Sequence, residues 1–175
     1  MKLDLSKPMR GRVWKFGDSI DTDVIAPDQR AETQADLKRL TMDAVRPEFA
    51  KQVKPGDIVV GGRNFGCGSH RETANWVLRE VGVQAILAES IGRIFFRIGI
   101  SFGMPTLNAP GITALVDDGD PLEIDYNAAM LTNLRTRQTL AFSRVPAGME
   151  RIFRAGGIIP LLVERYREEQ AGRRG

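Results

Sequence analysis

Asp57-Ile58-Val59-Val60-Gly61-Gly62-Arg63-Asn64-Phe65-Gly66-Cys67-Gly68-Ser69-His70-Arg71-Glu72 is a short apolar strand that turns through glycine into the amphipathic stretch Glu72-Thr73-Ala74-Asn75-Trp76-Val77-Leu78. Four glycines within eight residues, from Gly61 to Gly68, allow close backbone approach and angles forbidden to other residues. The turn delivers Ser69 and Arg71 to an expected helix N-terminus, where free amide donors and the helix dipole favour a small anion. The helix should run to about Val81 and lead into a buried strand, Val83 to Ala88. Ser90 is placed to cap a second helix carrying Ile94, Phe95, Ile98 and Phe102, with Gly103 as its stop and Met104 to Leu107 as a further strand. Strand–helix–strand–helix–strand is the signature of parallel pairing with helical crossovers, an α/β fold.

Upstream, Gly11 to Phe16 mixes polar and apolar residues as a half-buried strand does, and Gly17-Asp18-Ser19-Ile20-Asp21-Thr22-Asp23 follows as a polar turn closed by Val24 to Pro27. Leu37, Leu40, Met42 and Ala44 keep roughly helical spacing from Thr33 to about Val45, with Pro47 as a stop. Downstream of Asp117 to Asp120 the pattern changes. Leu122–Tyr126, Met130–Leu134 and Thr139–Phe142 read as short antiparallel strands, and two closing helices follow, around Ala147–Ala155 and Leu161–Glu169, separated by Gly156-Gly157. Repeats, low-complexity tracts and linkers are absent from the sequence, so one domain over residues 1–175 is expected.

A chain of 175 residues with 42% hydrophobic and 27% charged residues has an ordinary globular balance. Its net charge of +3 is too small to imply a polyanionic partner, and the C-terminal arginines alternate with glutamates as on a solvated helix end. The single cysteine, Cys67, excludes an internal disulfide and any metal or iron–sulfur site built from several thiolates of this chain. The first seven residues are charged rather than apolar, and no run approaches the roughly 20 residues of a membrane span. A cytoplasmic location is expected.

Each candidate site residue has a structural reading beside the functional one. Ser69-His70-Arg71-Glu72 fits a capping box, with Ser69 as N-cap and Glu72 at the third helical position. A cap alone does not need four glycines, and Arg71 in a first turn opposes the helix dipole unless an anion arrives. Arginine also offers a planar fork matched to a carboxylate. Cys67 is either a reactive thiol or a small residue in a tight loop. The pattern is not a Walker loop, because no lysine precedes Ser69, and Cys67-Gly68-Ser69-His70-Arg71 is not a hydrolase elbow. Asp18, Asp21 and Asp23 either bind a cation or form a solvated turn, and they lack the glycine and distant glutamate of a calcium loop.

Taken together, the two clusters resemble the small subunit of the isopropylmalate isomerase (3-isopropylmalate dehydratase) family, and hence the swivelling domain of aconitase. The resemblance is carried by Gly17-Asp18-Ser19-Ile20-Asp21-Thr22-Asp23-Val24-Ile25, by Asn64-Phe65-Gly66-Cys67-Gly68-Ser69 with Arg71-Glu72, and by Ala88-Glu89-Ser90 with Arg93-Ile94-Phe95. Gly56-Asp57 and Ala155-Gly156-Gly157 agree with it, so it covers nearly the whole chain. It implies a single β/β/α swivel domain with a mixed sheet and helical crossovers. It also implies dehydration and rehydration of a hydroxy di- or tricarboxylic acid, with a [4Fe–4S] cluster on a large partner subunit and no metal bound by this chain.

The resemblance implies Ser69 as the catalytic base, Arg71 as the group that stabilises it and holds a carboxylate, and Asp23 at the rim. Gly66, Cys67 and Gly68 match the loop that carries the oxyanion donors. This chain departs from the family pattern at His70 and Thr73, where a second serine and a histidine are usual. The His70 amide can still serve the oxyanion, and its imidazole adds a substrate contact. It departs again at Asp28-Gln29-Arg30, where Tyr-Leu-Arg or a variant reads the substrate's distal group. The more polar residues suit a more polar pocket, so homoaconitate, citraconate and substituted malates stand beside isopropylmalate. A non-catalytic anion-binding module is the alternative from another class, and a stand-alone serine hydrolase is a third.

Overall fold

Ile58-Val59-Val60-Gly61 and Ala85-Ile86-Leu87-Ala88 are buried at every position, as strands covered on both faces must be. The computed structural model describes residues 4–68 and 72–172. In chain order its elements are β1 (Met9–Lys15), α1 (Thr22–Ile25), a 3₁₀ turn (Asp28–Arg30), α2 (Gln34–Leu40), α3 (Phe49–Gln52), β2 (Ile58–Gly61) and α4 (Thr73–Glu80). They continue as β3 (Ala85–Ala88), α5 (Arg93–Ser101), β4 (Thr106–Asn108), α6 (Ile112–Leu115), β5 (Pro121–Asp125), β6 (Met130–Asn133), β7 (Thr139–Ala141), α7 (Ala147–Ala155) and α8 (Ile158–Gly172).

The strands form one seven-stranded mixed sheet in the order β4-β3-β2-β1-β5-β6-β7. Strands β2, β3 and β4 run parallel through helical crossovers, while β5, β6 and β7 form the expected antiparallel meander. Strand β1 joins the halves. Its first residues, Met9 to Arg12, pair antiparallel with β5, and Val13 to Lys15 pair parallel with β2. Alternate residues then feed two cores. Val13, Ile58, Val60, Ala85 and Leu87 pack with Tyr126 and Phe153 on one face, and Trp14, Val59, Ile86 and Ala88 pack with Phe49, Phe65 and Phe95 on the other.

Several boundaries differ from the sequence expectations, each for a local reason. Helix α2 starts on a full capping box between Thr33 and Asp36 but ends at Leu40, not near Val45. The Thr41 hydroxyl takes the Leu37 carbonyl at 2.9 Å and buried Met42 adopts a φ of 62°, which stops the helix. Pro47 is followed by the extra short helix α3. The polar turn at 17–23 ends as α1, because the Asp21 side chain caps it by accepting from the Asp23 amide. Helix α5 starts after Gly92, and Ser90 does not cap it. Helix α4 starts at Thr73, with the Trp76 amide bonded to the Glu72 carbonyl at 3.0 Å. Glu72 therefore precedes the helix instead of occupying its third position.

Candidate active site

The end of β2 continues into a loop, residues 62–68, that is hydrogen-bonded along both edges. On one edge the Gly62 and Gly66 amides donate to the carbonyls of Gly17 and Ile20 at 3.0 and 2.8 Å. The Ser19 and Thr22 amides return bonds to Arg63 and Cys67 at 2.7 and 2.8 Å. On the other edge the Phe65 amide donates to the Ser90 carbonyl at 3.0 Å, and the Gly92 amide donates to the Phe65 carbonyl at 2.8 Å. The Ser90 hydroxyl accepts from the Asn64 amide at 2.8 Å. Ser90, expected to cap a helix, instead pins the loop.

This explains the glycine density by close packing inside the chain. A Cβ on Gly62 would run into the Asp18 carboxylate, whose Oδ1 accepts from the Arg63 amide at 2.7 Å. A Cβ on Gly68 would run into the Asp21 carboxylate, and its φ of 99° is disfavoured for any side chain. Gly61 and Gly66 likewise leave room for the rings of Phe65 and Phe95.

Asp18 and Asp21 therefore use their oxygens on backbone amides of their own turn and of the loop. Among the described residues, no group of three or more His, Cys, Asp or Glu side chains is placed to hold a metal ion. Half-buried Cys67 sits with Sγ 4.0 Å from Asp21 Oδ2. Burial, and then the Asp21 charge, push its thiol above the usual cysteine range. The thiol is held protonated, a poor nucleophile and a poor metal ligand.

Ser69, His70 and Arg71 lie outside the described residues. Among the described residues, Gly66, Cys67 and Gly68 lie beside the acidic turn, with half-buried Asp23 in the first turn of α1. Asp28, Gln29 and Arg30 form the 3₁₀ turn that follows. Asp28 is drawn to α4, because its Oδ2 accepts from the Thr73 hydroxyl at 2.8 Å. Arg30 points both terminal nitrogens at Asp43, with Nη1 3.0 Å from Oδ2 and Nη2 in a shorter bond to Oδ1. Gln29 is exposed. Asp43, Ser90 and the loop-pinning roles of Asp18 and Asp21 were not assigned from the sequence. Only the nearness of Ser90 to Glu89 in a family motif could have pointed to one of them.

Glu89 anchors the neighbouring connection. Its carboxylate accepts from the Gly111 and Thr113 amides at 2.7 and 2.9 Å and from the Thr113 hydroxyl. A cleft of about 580 Å³ is lined by Glu72 together with residues including Arg79, Phe102, Gly157, Ile158 and Ile159, and its lining includes no residue of the acidic turn. Its walls are mainly apolar. Among the described residues no helix is long and apolar enough to cross a membrane.

Comparison with known proteins agrees with this geometry. The sequence family described as the aconitase C-terminal domain matches residues 18–110, more than half of the chain. The isopropylmalate/citramalate isomerase small subunit of Methanocaldococcus jannaschii is 42% identical over 93% of this chain and 98% of its own. The 3-isopropylmalate dehydratase small subunit of Aquifex aeolicus is 40% identical over 89% of this chain and 95% of its own. The methanogen homoaconitase small subunit of Methanothermobacter thermautotrophicus is 43% identical over 86% and 88%. The crystal structure of 3-isopropylmalate dehydratase from Methanocaldococcus jannaschii matches with a TM-score of 0.88 at 33% identity, covering 95% of this chain and 99% of that one. With the interlocked glycine loop and the mixed sheet in place, the chain belongs to the 3-isopropylmalate dehydratase small-subunit family, the aconitase-type swivel domains of hydro-lyases that work with a large subunit.

Proposed function

We propose that this chain, as one swivel domain over residues 1–175, is the small subunit of a hydro-lyase that interconverts 3-isopropylmalate and 2-isopropylmalate in leucine biosynthesis. It acts in the cytoplasm with a large subunit, as a heterodimer or heterotetramer. The observation that carries this reading is the interlock of loop 62–68 between the acidic turn and residues 90–92, which fixes the loop up to Gly68, the residue before Ser69 in the sequence. The relatives' names, two of them isopropylmalate enzymes, supply the substrate class.

The step assigned to this chain is removal of a proton from the carbon next to a carboxylate. A serine hydroxyl is too weak a base unless amide donors or a guanidinium stabilise the alkoxide. In this reading Ser69 is the base, the His70 amide and Arg71 supply that stabilisation, and Arg71 also holds a substrate carboxylate. Asp23 lines the rim. Asp28, Gln29 and Arg30 border the distal group, and the His70 imidazole adds a contact. The [4Fe–4S] cluster, which supplies Lewis-acid chemistry, belongs to the large subunit. A lone, half-buried, protonated thiol beside a carboxylate does not fit a cluster ligand set.

A related acid is the second reading. The polar turn Asp28-Gln29-Arg30 favours it, and the homoaconitase small subunit is as similar as the isopropylmalate relatives. Anaerobic reconstitution with the large subunit tests both. Fastest turnover on isopropylmalate supports the first reading, and fastest turnover on homoaconitate, citraconate or a substituted malate supports the second. No turnover on any of these acids by an assembled, cluster-loaded complex would overturn the hydro-lyase assignment.

A further inference from the structure

We propose that Asp21 is a positioning residue that latches the acidic turn to the exit of the glycine loop, holding the turn that bears Asp23 and the backbone of Cys67 and Gly68 in one fixed relation. This rests on the reading of Ser69 and Asp23 as site groups.

The latch is built from three contacts of one residue. Through its backbone, Asp21 bridges Cys67 in parallel, and the adjacent Thr22 amide donates to the Cys67 carbonyl at 2.8 Å. Through Oδ1 it accepts from the Asp23 amide at 2.8 Å, which caps α1 and sets the first turn on which Asp23 stands. Through both carboxylate oxygens it fills the space where a Cβ of Gly68 would project, with Cys67 Sγ 4.0 Å from Oδ2. Gly68 is the residue immediately before Ser69. A shift of Asp21 therefore moves the α1 turn and the loop exit together.

Asp18 makes the corresponding contact at the loop entrance, against Gly62 and the Arg63 amide at 2.7 Å. Five residues of loop, 63–67, separate Gly62 from Gly68 at the exit, which makes Asp18 the natural control. The latch also accounts for the acidic turn without a cation, since each of these carboxylates already meets an amide of the chain. Positioning of this kind acts on the chemical step more than on binding, because small displacements of a reacting group are costly.

The test uses the full chain with Asp21→Ala, Asp21→Asn and, as control, Asp18→Ala. In amide exchange of the isolated chain, Asp21→Ala should speed exchange at Gly66, whose amide donates to the Ile20 carbonyl, and at residues 22–25 by roughly threefold or more while β2 and β3 keep their protection. Asp21→Asn keeps the oxygen that accepts from Asp23 and the volume against Gly68, so it should restore most of that protection. Asp18→Ala should loosen residues 62–64 instead. In the reconstituted enzyme, Asp21→Ala should lower kcat about tenfold or more with KM within about twofold, and Asp21→Asn should recover most of it. Unchanged exchange at Gly66 and residues 22–25, or a uniform rise across the sheet, would overturn the latch. So would a raised KM with normal kcat, which would mean that Asp21 contacts the substrate. Because exchange needs no turnover, a failure of the proposed reaction leaves the exchange result to decide the latch alone.

Discussion

The Thr73 hydroxyl donates a 2.8 Å hydrogen bond to the Asp28 carboxylate, joining the first residue of α4 to the turn after α1. Both positions were read from the sequence as departures from the family pattern the chain resembles, and in the fold they meet as a bonded pair. A double-mutant cycle of Asp28→Ala and Thr73→Val should therefore show coupling of about 0.5–1.5 kcal/mol in urea unfolding. Strict additivity would show that the contact contributes nothing.

Arg30 is exposed and its fork is turned onto Asp43. Surface pairs of this kind are worth at most about 1 kcal/mol, so Asp43→Asn should leave stability nearly unchanged. It should free the guanidinium and lower KM for homoaconitate relative to 3-isopropylmalate, by roughly tenfold or more for one recovered charge-assisted bond. An unchanged KM ratio would place Arg30 outside the substrate's reach.

The parallel half of the sheet was legible because Ile58–Val60 and Ala85–Ala88 are uninterrupted apolar runs separated by an amphipathic segment. The meander was legible from the alternation in Leu122–Asp125. The role of β1 was not, because nothing in Met9–Lys15 tells a strand that it will pair parallel with β2 and antiparallel with β5. The end of α2 was missed because the Thr41 side chain and the φ of Met42 overrode an apolar spacing that continued past them. Residue types and glycine spacing singled out the candidate loop. The partners that hold it, Ser90 from 26 residues away and Asp18 from 45, are tertiary contacts with no local signal.

Ser69→Ala should assemble normally and lower kcat by about 10²–10⁴-fold, the usual contribution of a positioned base, with little change in KM. Arg71→Lys should raise KM and lower kcat/KM by roughly 10-fold to 100-fold, because an ammonium cannot reproduce two parallel bonds to a carboxylate. Near-normal steady-state kinetics in either variant, measured in the reconstituted complex, would remove that residue from the mechanism.

Cys67 lies inside the glycine loop but reads as a packing residue, its thiol kept protonated by burial and by Asp21. Cys67→Ala should retain kcat within about threefold and cost stability of about 1 kcal/mol for the lost contacts. Wild-type alkylation by iodoacetamide should be slow at neutral pH and accelerate only above the ordinary thiol range. Fast labelling at pH 7 accompanied by loss of turnover would give Cys67 a chemical role.

Acid stability should depend on Asp120, which joins β5 to the turn after β6. Its Oδ1 meets Arg135 Nε at 2.5 Å, and its Oδ2 accepts from Arg135 Nη2 at 2.9 Å, Asn133 Nδ2 at 2.7 Å and the Asp117 amide at 2.9 Å. The Arg135 guanidinium, against the opposing effect of burial and with help from Asp117 and Asn133, holds this carboxyl well below its usual range. Since the folded value lies below the unfolded one of about 3.9, the stabilisation is complete above that value and fades as pH falls through it toward the folded value. Unfolding free energy should therefore decline more steeply below about pH 4 in the wild type than in Asp120→Asn. That variant should lose about 1.5–3 kcal/mol at pH 7, the range for hydrogen bonds to a charged group. Parallel pH curves for the two proteins in urea denaturation would show that Asp120 titrates normally and that the Arg135 contact carries no linkage.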